Sequence, residues 1–60
     1  MNYWVIQVYK GEIRAIGPYK SEDACHNRYL KMHGGEIFEF RSQSSDPKEV
    51  IQEFKYDRIG

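Results

Sequence analysis

The residues best suited to chemistry lie close together in the chain: Glu22, Cys25, His26 and His33, just after the turn Gly17-Pro18-Tyr19-Lys20. Glu22 and His26 are four apart and would share one stripe of a helix, with His33 two turns further along it. Two turns span about 10 Å, so the two histidines cannot ligate one ion, whose bonds to nitrogen are about 2 Å long. The incomplete Glu/His pair that remains predicts neither a metal nor any other cofactor. Cys25 and His26 are neighbours, and successive side chains on a helix diverge by about 100°, so no thiolate–imidazole pair forms locally. Cys25 reads as a small buried thiol on the core side of the helix. The acids are spread over turns, caps and strand edges instead of converging, and 60 residues leave little volume for a pocket. The chain is expected not to be an enzyme.

The stretch "GPYKSEDA" raises a second possibility, because a turn feeding a helix start offers free N–H groups and a favourable dipole to an anion. Pro18 has no N–H to give, the clustered glycines of a phosphate cradle are missing, and Glu22 and Asp23 already place negative charge in the first turn. The stretch therefore reads as a joint: Gly17 and Pro18 end a strand, Ser21 caps the helix, and the two acids complement its dipole.

A binding surface is a better candidate than a reaction centre. Tyr3, Gln7, Tyr9, Arg14 and Arg41 fall on one face of the expected sheet, around Val5, Ile16 and Ile37. Aromatic and basic residues interleaved in this way suit single-stranded nucleic acid, yet Glu12 and Glu39 share the face and the net charge is zero. The apolar centre suits a protein contact better, either with a partner or a second copy, or beneath a helix of the same chain.

These placements depend on the elements. Tyr3 to Tyr9, "YWVIQVY", is β-branched and aromatic, and Lys10-Gly11 joins it to "EIRAIG" as a hairpin. A two-residue loop puts Val8 opposite Ile13, Ile6 opposite Ala15 and Trp4 opposite Gly17 on the core face. Tyr9 then faces Glu12, Gln7 faces Arg14 and Val5 faces Ile16 on the other, mixed face. Ser21 as N-cap and Gly34-Gly35 as a stop predict a helix from Glu22 to His33, with Ala24, Cys25, Arg28, Tyr29 and Met32 toward the sheet and Arg28 snorkelling at the edge. "EIFEFRS", Glu36 to Ser42, alternates as a third strand with Phe38 and Phe40 inward. Asp46-Pro47-Lys48-Glu49 combines a capping acid, a proline at the first helical position and a capping-box glutamate, opening a helix from Pro47 to about Tyr56 with the stripe Val50, Ile51, Phe54.

The expected fold is thus α+β, in ββαβα order, with a three-stranded sheet of spatial order 2-1-3 reached by a right-handed crossover. The first helix is expected on the Trp4 face, the second on that face or on the mixed one. Residues 1–60 read as a single domain and, beginning at methionine, as a complete product. Trp4, Phe38, Phe40 and Phe54 carry much of its core. A chain this short buries only about 60% of its unfolded surface, which favours dimerisation. Nine acids balance nine bases, no apolar run could span a membrane, and the single cysteine points to a reducing, cytoplasmic setting.

From Ile16 to Phe40, "IGPYKSEDACHNRYLKMHGGEIFEF" resembles small uncharacterised bacterial and phage proteins in which a strand hairpin runs into Gly-Pro-aromatic-x-Ser and an Ala-containing helix. The resemblance covers about two-fifths of the chain and implies a small accessory or host-interaction protein, carrying no catalytic residue across. "YWVIQV" also looks like the opening strand of sporulation-related peptidoglycan-binding repeats, whose longer βαββαβ order this chain does not share. The expected function is protein binding of an adaptor or inhibitor kind, with a homodimer as one form of it; the alternative is a nucleic-acid-binding module using Tyr3, Tyr9, Arg14 and Arg41.

Overall fold

A two-residue turn sets the frame of the sheet. Lys10 and Gly11 both take positive φ, 51° and 78°, the turn whose twist matches that of the flanking strands. The computed structural model describes residues 1–59. The turn joins β1 (Asn2–Tyr9) to β2 (Glu12–Tyr19), and α1 (Glu22–Lys31), β3 (Glu36–Ser42) and α2 (Pro47–Ile59) follow. The fold is α+β in ββαβα order, with a single three-stranded sheet ordered β2-β1-β3. β1 is antiparallel to both neighbours, so β2 and β3 run parallel and α1 carries the chain across β1 between them.

The hairpin register is the one the turn dictates: Val8 with Ile13, Ile6 with Ala15, Gln7 with Arg14 and Val5 with Ile16. Beyond Val5 the register shifts by one, so that Tyr3 meets Tyr19 and the extra residue falls in β2 around Gly17 and Pro18. Trp4 lies against this irregularity. A Cβ at Gly17 would stand 3.1 Å from both Trp4 Cε3 and the Tyr3 carbonyl oxygen, so a side chain there competes with the indole for space.

The helices are placed by local bonds. Ser21 Oγ accepts from the Ala24 N–H at 3.2 Å and caps α1, behind Glu22 and Asp23 in the first turn. The helix ends at Lys31, two residues earlier than expected, with Met32 extended and its N–H bonded to the Tyr29 carbonyl. The reason lies in the sheet: Gln7 Nε2 donates to the His33 and Gly34 carbonyls at 2.9 and 3.1 Å and draws those residues out of the helix. At α2, Asp46 Oδ1 accepts from the Lys48 N–H at 3.0 Å. The expected capping box is relayed by a serine: Asp46 N–H donates to Ser44 Oγ, and Ser44 Oγ donates to Glu49 Oε1, both at 3.0 Å. The helix continues past Tyr56 to Ile59.

The core assigns a face to each helix. Trp4, Ile6, Val50 and Phe54 form one buried cluster, with Val8, Ile13, Ala15, Phe38 and Phe40 packed against it. α2 therefore covers the Trp4 face, and its Phe54 ring meets Phe38 and Phe40 at centroid distances of 5.2 and 5.7 Å, close enough for edge and tilted aromatic contacts of about 1 kcal/mol each. Val5, on the opposite face, is 0% exposed, and Cys25 of α1 is 2% exposed with its thiol on the Trp4 carbonyl. His26 of α1 pairs with Glu39, the β3 neighbour of Val5 on that face. The expectation that α1 lies on the Trp4 face is thus corrected: α1 covers the mixed face. Of the five residues expected to face the sheet, Ala24 and Arg28 are exposed, leaving a narrow stripe of Cys25, Tyr29 and Met32. So thin a stripe matches the smaller apolar area around Val5, whereas the large side chains of α2 match the aromatic face.

Gly35 takes φ +67°, and a Cβ there would run into the Val8 carbonyl oxygen, whereas a Cβ at Gly11, φ +78°, would meet nothing within 4 Å. Both alanine substitutions bear the left-handed penalty of about 1–2 kcal/mol, but only Gly35→Ala adds a backbone collision. Urea titration should show a modest loss for Gly11→Ala and a clearly larger one for Gly35→Ala; equal midpoints would contradict the close approach.

Candidate functional site

The mixed face carries the residues singled out in the sequence, and α1 divides them. Across the sheet the rows read Ile16–Val5–Glu39, Arg14–Gln7–Ile37 and Tyr19–Tyr3–Arg41. Val5 is fully buried, Ile16, Ile37, Gln7 and Tyr3 are half-buried, and Tyr9, Arg14 and Arg41 are exposed. α1 therefore covers the apolar centre within the chain at Val5, with Ile16 and Ile37 left partly accessible. Tyr3 and Arg41 sit at one end and Tyr9 and Arg14 at the other, about 20 Å apart along β1 at about 3.3 Å per residue, with the helix between them. They form no continuous stacking platform. Arg14 also holds Glu12 at 3.7 Å, which offsets its charge.

Two of the chemistry-bearing residues of α1, His26 and Cys25, are occupied with architecture. His26 Nδ1 lies 3.2 Å from Glu39 Oε1 and fastens α1 to β3, so its carboxylate partner is on the sheet and not at Glu22 as the helical spacing suggests. Its ring stacks on Tyr29 at 5.8 Å. Among the described residues no group of three or more His, Cys, Asp or Glu could hold a metal ion. Cys25 Sγ donates to the Trp4 carbonyl at 3.3 Å, and burial, aided by the nearby Glu39 and Glu22 carboxylates, pushes its pKa up from the ordinary 9.0. A thiol held protonated is a poor nucleophile.

Sequence reasoning missed two features. The first is a polar clamp. Trp4 Nε1 and Asn2 Nδ2 both donate to the Ser44 carbonyl, at 3.3 and 3.2 Å, and Ser42 Oγ donates to Glu53 Oε1 at 2.7 Å. The loop before α2 is thereby tied to the first strand, and the end of β3 to α2. The second is a groove on the Trp4 face, with Val8, Ile13, Phe38 and Phe54 as its floor and Glu36, Lys55 and Arg58 at its rim. The sequence held a signal for it: the stripe Val50, Phe54 continues four residues on to Arg58, a cation where an apolar residue would close the core. The Arg58 guanidinium lies 4.5 Å from the Phe38 ring centre and 5.7 Å from that of Phe54, walling the groove by cation–π contact.

Among the described residues no helix is long and apolar enough to cross a membrane. No protein-family model, curated protein or solved structure matches the chain.

The raised thiol fixes the sign of a pH effect. Below the unfolded pKa, the ordinary 9.0, both states carry the proton and the contribution to stability is fully present; above it the unfolded chain ionises first, and stability falls as pH rises toward the folded value. Melting curves should therefore show a steeper loss from about pH 8 to 10 for the wild type than for Cys25→Ala, because the two proteins differ only in the thiol. Parallel curves would mean the thiol is not held protonated.

Proposed function

We propose that the chain is a non-enzymatic protein-binding domain of the small accessory kind, acting in the cytoplasm, and that the groove on the Trp4 face receives its partner. The observation that carries this reading is an apolar floor left open between β1, β2, β3 and the last turns of α2. Its rim holds two cations, Lys55 and Arg58, against one acid, Glu36. The complementary ligand is a protein segment with an apolar side chain beside an acidic one, the first desolvated on the floor and the second facing the cationic side of the rim. Support for binding over chemistry comes from Cys25 and His26, whose reactive atoms are taken up by the Trp4 carbonyl and by Glu39. The nucleic-acid alternative draws less support, since its four residues stand at opposite ends of the sheet.

The test is capture from a lysate of the source cell, with and without nuclease, on immobilised wild type, Ile13→Asp, Lys55→Glu and Tyr56→Ala. Tyr56 is 82% exposed and not part of the groove. A protein held by the wild type and by Tyr56→Ala, resistant to nuclease and lost with both groove variants, is the expected result; circular dichroism checks that Ile13→Asp folds, and Lys55→Glu changes only an exposed side chain. Capture indifferent to the groove variants, or abolished by nuclease, would overturn the reading.

A further inference from the structure

The sheet has two edges, and they are guarded unequally. β2 ends in the register shift around Gly17 and Pro18, and proline has no N–H to offer an added strand. β3 has no such defence. All seven of its residues keep one uninterrupted register with β1, it contains no proline, glycine or lysine, and although α1 and α2 pack on its two faces, no strand among the described residues pairs with its outer edge. Its unpaired backbone groups are a template for another strand.

The side chains of β3 select the occupant. We propose that β3 pairs antiparallel with β3 of a second copy of this chain, joining two sheets into one of six strands about a two-fold axis. Antiparallel neighbours directly opposite each other share a face. The register with Phe40 opposite the second copy's Phe40 sets Glu39 opposite its Arg41, and by symmetry Arg41 opposite its Glu39, while Phe38 meets Ser42. Two opposite-charge pairs thus flank a central aromatic pair. The register two residues away, centred on Glu39, places like charges together and leaves Arg41 against Ile37. Glu39 can serve His26 and an incoming guanidinium at once, because a carboxylate accepts at about four lone-pair sites. This pairing is independent of the groove, whose proposed ligand is a different protein.

Sedimentation equilibrium over a concentration series tests the pairing, with folding of each variant checked by circular dichroism. The wild type should dimerise reversibly. Arg41→Glu, which sets Glu39 against glutamate twice, should weaken the dimer about tenfold or more. The double exchange Glu39→Arg with Arg41→Glu should restore it, and Lys55→Glu at the groove should leave it unchanged. A wild type that stays monomeric to about 1 mM, which would imply less than about 4 kcal/mol of association, overturns the proposal. So does a dimer that tolerates Arg41→Glu or that the double exchange fails to rescue.

Discussion

Everything in this small structure depends on burying β1 from both sides. It is the central strand, with a hydrogen-bonded neighbour on each edge and a helix on each face. Trp4, Val5 and Ile6 are consecutive and all essentially inaccessible to solvent. Alternating side chains point to opposite faces, so three buried residues in a row require two covered faces. One helix alone would leave either Val5 or the Trp4–Ile6 pair in water. At about 25 cal/mol per Å² of apolar surface, leaving one face open would cost a chain of this size much of a net stability that is only about 5 kcal/mol or so.

The two faces are covered by different means. The Trp4 face is closed by volume: the rings of Phe38, Phe40 and Phe54 interlock beside Val50 and Ile6. The mixed face is closed by a thin stripe and by polar fastenings, namely the thiol on the Trp4 carbonyl, His26 on Glu39, and the Gln7 amide on the His33 and Gly34 carbonyls. The His26–Glu39 pair is partly exposed, with side chains 52% and 38% accessible, and such pairs contribute about 0–1 kcal/mol. α1 is therefore the more weakly attached layer, and α2 with the sheet is the firmer body. Cys25 and His26 are taken up in attaching α1, and the surfaces we propose for recognition are the groove and the outer edge of β3.

Much of this was legible in the sequence because it is local. Lys10-Gly11 determines the hairpin and its register, Ser21 and Asp46 begin the helices, and the alternation of "EIFEFRS" marks β3. What escaped is long-range. Which helix takes which face follows from matching areas, and a helical wheel that admits Ala24 and Arg28 to the inner arc makes α1 look broader than the stripe it buries. The partner of His26 came from β3 instead of from Glu22 one turn earlier, because the folded sheet brings Glu39 beneath the helix. The groove escaped because Val8, Ile13 and Phe38 look like ordinary core residues; only Arg58, in register with Phe54 on α2, shows that the core stops before its edge.

Native-state amide hydrogen exchange addresses the two-sided burial of β1 most directly. The amides of Trp4 to Val8 should be the slowest in the molecule, exchanging only through global unfolding, while those of α1 exchange faster through local opening. Exchange in β1 as fast as in α1, or protection greater in α1 than in α2, would contradict a central strand held between a firm aromatic layer and a lightly fastened one.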